Sequence, residues 1–272
     1  MNIIVFDTET LGMKSQDLLN VGYRILELNL ITAEVKVLCE RDMIDYNLFN
    51  AVSKLYAFKG CLENDKEWIL SSNFLNKVKF DKYNSAINNK TIERHSIKKI
   101  YEIMAQDIKR YQVIIGYAYN CSFDIDKFEK TALKYNLNNP IKDLPIMDIW
   151  AYAVNYVCRT DDYIQWAKTN SIFTQSEQYI STSVESVTKY LLKDLTFVEE
   201  HTALSDTKWE TAILLHCLKQ GCDITKAERK GANIPSGKTF TKTILLPSGE
   251  RLNVEYTKSI KREIDEYYYE KN

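Results

Sequence analysis

The sequence predicts an α/β protein built on a mixed sheet, an antiparallel meander extended by parallel strands, with helices on the sheet and a small hairpin-plus-helix extension at the C-terminus. Three observations carry this. Residues 3–6 (IIVF) form a short apolar run that ends in charge, the pattern of a buried strand delivering polar side chains at its C-terminal edge. Residues 23–30 (YRILELNL) and 34–38 (EVKVL), separated by the turn-like Ile31-Thr32-Ala33, read as two more strands and complete a meander. Residues 112–119 (QVIIGYAY) make a buried-strand run that feeds directly into a helical pattern, half of a β-α-β unit and hence a source of parallel pairing.

The remaining elements follow in chain order. Residues 42–92 are polar and aromatic without a sharp period and are expected to form helical pieces and loops. Apolar Ile97, Ile100, Tyr101, Met104 and Ile108 recur every three to four residues, so 96–111 is an amphipathic helix. Phe123, Phe128, Ala132 and Tyr135 place the next helix at 123–135, and 145–157 holds another short strand-like or helical element. Residues 159–182 are polar and read as an inserted loop. A short helix at 184–192 precedes a strong one at 202–220, with Leu204, Ile213, Leu214, Cys217 and Leu218 as its apolar set and Gly221 as its stop. Residues 239–246 and 250–256 flank Pro247-Ser248-Gly249 as a β-hairpin, and 260–269 reads as a terminal helix. The domain division expected is 1–222 for the main α/β unit and 223–272 for a small extension packed on it.

Composition excludes several classes. The 272 residues carry 36 basic and 37 acidic side chains, a net charge of −1, and 45% hydrophobic residues, which fits a globular chain and neither a disordered nor a collagenous one. Near neutrality argues against a tail-driven polyanion binder, but leaves room for nucleic acid at a local site. The segment 219–262 alone holds ten basic and four acidic residues, so the rest is correspondingly acidic. With nearby Tyr256, Tyr267, Tyr268 and Tyr269, that segment either grips a nucleic-acid backbone and stacks bases, or is a hairpin with a solvated charged face. No apolar run reaches the roughly 18–20 residues of a membrane helix, and the first residues lack a secretory pattern, so no membrane partner and a cytoplasmic location are expected. The high Asn, Lys, Ile and Tyr content fits an AT-rich genome, that of a bacteriophage or a low-GC bacterium, with the host's cytoplasm the location if the chain is phage-encoded. The six cysteines form no Cys-x-x-Cys pair and are expected to be reduced structural thiols.

Chemistry concentrates at three places. In Phe6-Asp7-Thr8-Glu9-Thr10 the period of a strand turns Asp7 and Glu9 to one side, continuing the side of Ile3 and Val5. Two acids held together beside apolar neighbours repel each other, and a divalent cation relieves that most directly. Taken alone, they could equally be two exposed acids at a strand end. In Asn120-Cys121-Ser122-Phe123-Asp124 a third acid stands where a strand gives way to a helix, the edge at which α/β sheets place ligands, although an acid there also suits the helix dipole. In His201-Thr202-Ala203-Leu204-Ser205-Asp206 a five-residue step turns a helix by about 500°, so His201 is expected just before the helix with Asp206 on its inner side. Four carboxylates and a histidine suit two-metal phosphoryl chemistry, in which an imidazole with an ordinary pKa of about 6.5 can accept a proton from water.

At these residues the chain resembles the DnaQ-like exonucleases of DEDDh type. Asp7-Thr8-Glu9-Thr10 is similar to their first motif, Asn120-x-x-Phe123-Asp124 to the second and His201-x-Ala203-Leu204-x-Asp206 to the third, in the same order, over roughly residues 1–221. The resemblance implies a ribonuclease H-like fold and hydrolysis of DNA or RNA from the 3′ end to nucleoside 5′-monophosphates, with two Mg²⁺ or Mn²⁺ ions. It implies that Asp7, Glu9, Asp124 and Asp206 hold the metals, Asp7 bridging both, and that His201 is the general base. It further implies substrate contacts from Thr8, Thr10, Leu11, Asn120 and Phe123, Thr10 and Leu11 lining the pocket for the terminal nucleotide. The expected partner is a nucleic-acid 3′ end, single-stranded DNA ahead of RNA, with any polymerase or replication partner unknown. Two positions depart from the family pattern, Tyr119 where His is frequent and Leu11 where Thr is frequent; neither removes a metal ligand. The rival reading is a non-catalytic nucleic-acid-binding module on the same fold, and an endonuclease or resolvase ranks below both because it would lack the His201 motif.

Overall fold

A computed structural model describes residues 1–10, 17–58, 77–227, 233–238, 240–245 and 251–256. Three long strands open the chain, β1 (Asn2–Thr10), β2 (Leu18–Asn29) and β3 (Glu34–Asp45), each antiparallel to the next. Helices α1 (Tyr46–Phe58) and α2 (Lys77–Asn88) lead to a three-residue strand β4 (Glu93–His95), parallel to β3. Then come α3 (Ile97–Arg110), β5 (Ile115–Ala118) parallel to β1, α4 (Ser122–Tyr135) and β6 (Ile146–Asp148) parallel to β5. The sheet order is β4-β3-β2-β1-β5-β6. This is the mixed sheet, an antiparallel meander extended by parallel strands and flanked by helices, that the sequence predicts.

Its centre, β1, is buried on both sides, and the two sides belong to different cores. Ile3 and Val5 pack with Tyr117, Ile149 and the inner residues Ile213 and Leu214 of the long helix α8 (Ala203–Lys219). Ile4 and Phe6 face the other way, toward Ile100 and Met104 of α3 and Phe128 of α4. A smaller core of Leu19, Ile44, Phe49, Tyr83 and Ile92 closes the β3 side. Because β1 is enclosed by both layers, polar side chains at its C-terminal end stand at the rim between them.

Several elements differ from expectation. Strand β2 begins at Leu18 rather than residue 23, since Leu18, Leu19 and Val21 are all buried and only Asn20 interrupts the apolar run. The strand expected at 112–119 is confined to Ile115–Ala118, with Gln112 in a left-handed turn before it. Residues 145–157 resolve into β6 and α5 (Ile149–Ala153), which runs on into a wider π-helical turn at Val154–Cys158. The segment 159–182 is not simply a loop. It contains α6 (Asp161–Thr169), whose N-cap Thr160 hydroxyl accepts the Tyr163 N–H at 3.2 Å, and which buries only Tyr163 and Ala167. Its apolar residues Tyr163, Ile164, Trp166 and Ala167 all fall within five positions, too short a stretch to establish a period. Helix α7 (Val184–Leu192) follows. After α8 the chain returns to the first core through Ile224 and Ile234, and the Ile224 carbonyl accepts hydroxyls from Tyr117 at 3.1 Å and Tyr152 at 2.8 Å. Strands β7 (Phe240–Leu245) and β8 (Arg251–Tyr256) pair as a separate hairpin, while the helix expected at 260–269 lies outside the described residues. Among the described residues no helix is long and apolar enough to cross a membrane.

The close approach of α8 to the sheet depends on one missing side chain. A Cβ at Gly22 of β2 would stand 2.1 Å from the Leu204 nitrogen and 2.3 Å from the Ala203 carbonyl carbon, both backbone atoms that cannot rotate away. Gly22 is also the residue paired across the ladder with Asp7. Gly22→Ala is therefore expected to push the first turn of α8 off β2 and to cost about 1–3 kcal/mol of stability, the range usual for overpacking. Urea denaturation of purified variant and parent measures this; equal midpoints would show that α8 does not need the contact.

Candidate metal and nuclease site

Each suspect side chain is positioned by a specific local feature. Asp7 and Glu9 lie on β1 opposite Gly22 and Asn20 of β2 and share the side of the sheet that α8 covers. Asp124 arrives from the other layer. The chain leaves β5 and turns through Asn120, whose left-handed φ of 59° an asparagine tolerates better than most residues. The Asn120 N–H donates to Asp148 Oδ1 at 2.9 Å and its carbonyl accepts the Phe123 N–H at 3.0 Å. This turn starts α4 and leaves Asp124 in its first turn, buried, where the Thr8 hydroxyl donates to its Oδ1 at 2.6 Å.

Helix α8 supplies the rest. Thr202 is its N-cap residue but makes no side-chain cap bond. The cap comes instead from the sheet: Asn20 Oδ1 accepts the Ala203 N–H at 3.0 Å and the Tyr83 hydroxyl at 2.9 Å. The Asn20 amide in turn donates to the Met43 carbonyl at 2.9 Å and to Asp42 Oδ1 at 2.6 Å. One fully buried carboxamide thus ties β2, β3, α2 and α8 together. Asp206 follows one turn into α8 and is buried. His201 precedes the helix in a left-handed conformation, φ 55°, with its side chain half exposed. Glu9, His201 and Asp206 bring ligand atoms within 4.8 Å of one another. Of the five residues singled out for catalysis, three therefore meet directly, and Asp7 and Asp124 lie close enough to act on each other's ionisation.

That mutual action is the site's electrostatic signature. Burial pushes the Asp7 carboxyl well above the usual range, and the charges of Asp124, Glu210, Glu9 and Asp206 push it further. Asp124 is pushed up to about 7, mainly by burial, against the opposing effect of the Thr8 hydrogen bond. Glu210 is raised by burial and then by Asp124, Asp206 and Glu199, with a hydrogen bond from the Tyr119 backbone opposing. A cluster of oxygen donors whose ionisation is suppressed by confinement suits hard divalent cations of the Mg²⁺ or Mn²⁺ kind. The acidic cluster therefore suits a metal centre, and among the described residues Glu9, His201 and Asp206 stand close enough together to hold an ion.

Glu210 was not among the residues picked from the sequence. Its signal was present, however: it stands four residues after Asp206 and, with Ile213, Leu214 and Cys217, on the buried side of α8. Glu199, whose Oε2 lies 3.8 Å from His201 Nδ1, also escaped notice, as did Asn20 and Gly22. Among the expected substrate contacts, Thr8 and Thr10 are buried, Phe123 is partly exposed with Lys127 Nζ 5.0 Å from its ring centre, and Leu11 lies outside the described residues. Tyr119, which replaces a frequent histidine, donates its hydroxyl to the Thr182 carbonyl and stacks on Trp150 with ring centres 6.4 Å apart.

Stability of the metal-free protein should carry this signature. The native pKa values of Asp7, Asp124 and Glu210 lie above their unfolded values, so between the two values the native state binds more protons. Stability is then highest below about pH 4 as far as these groups are concerned and falls as the pH rises toward and through the value near 7 of Asp124. Melting in a chelator is expected to drop between about pH 5 and 8, and excess Mn²⁺ to reverse most of the drop at the upper end. A melting temperature independent of both pH and Mn²⁺ would contradict this picture.

No protein-family model matches the chain, nor does the sequence of any curated protein. Among solved structures, the nuclease domain of 3'hExo, a DEDDh family member bound to rAMP, matches with a TM-score of 0.49 and 11% identity, covering 81% of this chain and 93% of that one. At that identity, likeness of backbone speaks for no individual side chain.

Proposed function

We propose that the protein is a metal-dependent 3′-5′ exonuclease that releases nucleoside 5′-monophosphates from DNA or RNA, with single-stranded DNA the favoured substrate. The observation that supports this reading is the convergence of Asp7, Glu9, Asp124 and Asp206, from three separate elements, on one sheet edge beside a half-exposed histidine. When bound, a pair of divalent cations supplies charge that lowers the pKa of water and stabilises the attacking and leaving oxygens. The protein's own groups do the rest. The four carboxylates position the ions, Asp124 and Asp206 from buried positions that keep bulk water away on their side. His201 accepts the proton of the attacking water. It stands outside the helix, its side chain half exposed, with Glu199 Oε2 3.8 Å from its Nδ1.

A groove of about 810 Å³ runs along the first turn of α8 and is lined in part by Lys82, Tyr83, Thr202, Leu204, Lys208 and Trp209. The two lysines offer phosphate contacts, and the Trp209 ring offers base stacking, to a strand leaving the site. Asp42 and Glu200 also line it, so the groove is not uniformly basic. A non-catalytic module on the same fold is disfavoured because each of the five positions that chemistry requires is filled, and no observation favours it.

Two substitutions test the reading with end-labelled single-stranded DNA, duplex DNA and RNA in Mg²⁺. Asp206→Ala is expected to abolish release of mononucleotides while the circular dichroism spectrum stays native. His201→Ala is expected to lower the rate by about 10² to 10⁴, the usual range for a lost general base, with Mn²⁺ binding largely kept. Full activity in the purified Asp206 variant would refute the proposal, and a pH-rate profile unaltered by His201→Ala would remove the base role.

A further inference from the structure

Glu210 has no task in the chemistry just described, yet it is as deeply buried as Asp124. It is 2% exposed, and its Oε2 is buried with no hydrogen-bond partner. A four-residue step along α8 rotates a side chain by only about 40° and advances it about 6 Å, so Glu210 lies on the same side of the helix as Asp206, toward β1 and β2. The acids whose fields act on it most strongly are Asp124 and Asp206, and its own field reaches Asp7 more strongly than those of Glu9 or Asp206 do. Its unpartnered oxygen is thus buried on the side of α8 that carries Asp206 and within the field of the carboxylate cluster.

Leaving such an atom without a partner costs about 1–3 kcal/mol for a neutral group and more for a charged one. A methionine or leucine would fill the volume at no such cost, as Ile213 and Leu214 do one turn further along. A divalent cation would supply the partner that the retained carboxylate lacks. We propose that Glu210 is a fifth carboxylate of the metal centre, its free Oε2 ligating a divalent cation on the side shared with Asp124 and Asp206. This rests on the metal-dependent reading above and adds one ligand to it. The centre then holds five carboxylates for two dications, enough negative charge to retain both ions before the substrate phosphate arrives.

The test uses the full chain, Mn²⁺ alone and no nucleic acid, and compares calorimetric titrations of the parent, Glu210→Gln and Glu210→Asp. The parent is expected to bind Mn²⁺. Glu210→Gln, which keeps the volume and one oxygen but loses the charge, should bind at least tenfold more weakly or lose one ion in stoichiometry. Glu210→Asp keeps the charge but is one methylene short, so ligation predicts a comparable loss. Parent-like affinity in Glu210→Asp alongside a loss in Glu210→Gln would show that Glu210 acts by field alone and would overturn the proposal. Parent-like binding in both variants would overturn it as well. Melting in a chelator separates folding from binding: removing one buried charge should leave Glu210→Gln at least as stable as the parent. A parent that binds no Mn²⁺ would instead bring down the metal-dependent reading itself.

Discussion

The amide of Asn20 is the joint on which the site turns. A helix end leaves its first N–H groups without intrahelical partners, and a nearby Ser, Thr or Asp normally answers them from within the helix sequence. Here the partner is borrowed from β2: Asn20 Oδ1 takes the Ala203 N–H, and Gly22, two residues along, leaves room for the helix backbone to come down onto the strand. The consequence is geometric. The same two residues are the ladder partners of Glu9 and Asp7, so the contact that caps α8 also delivers Asp206 and His201 to the end of β1. Cap, seat and site are one construction.

That construction sets folding against ionisation. Apolar packing of α8 over Ile3 and Val5 draws Asp206 and Glu210 inward, while Asp7, Asp124 and Glu210 resist charging in the space that results. In a structural ion pair such crowding would be relieved by a lysine or arginine. A chain that gathers acids at a sheet edge and holds them there with a buried asparagine, a glycine and a threonine hydroxyl is arranged for a mobile countercharge. Thr8 illustrates the balance: its hydrogen bond favours the ionised Asp124 that a cation needs, without supplying any charge of its own.

The sequence disclosed the parts of this arrangement that repeat and concealed those that do not. Strand β1 and the meander were legible because their runs are buried and bounded by turns, and α3 and α8 because apolar residues recur along them. Asp7, Glu9, Asp124, His201 and Asp206 could be picked out because spacing and company raised them together. Helix α6 was hidden because its apolar residues fall within five positions, and β4 by its length of three residues. Glu210 was passed over because a charged residue in a helix ordinarily signals its solvent side. Asn20 was invisible for a different reason: its four hydrogen bonds reach residues 22, 23, 63 and 183 positions away, and no local pattern encodes them.

Those distances along the chain bear on synthesis. The acids that face one another come from the first ten residues, from the start of α4 and from beyond residue 200, and α8 can dock only when its first turn meets a sheet already in place. During translation the emerging chain therefore displays Asp7 and Glu9 early, on a strand with no opposing helix, and cannot concentrate acidic charge there until the third motif has left the ribosome. A chain interrupted before α8 would have a sheet edge without a site.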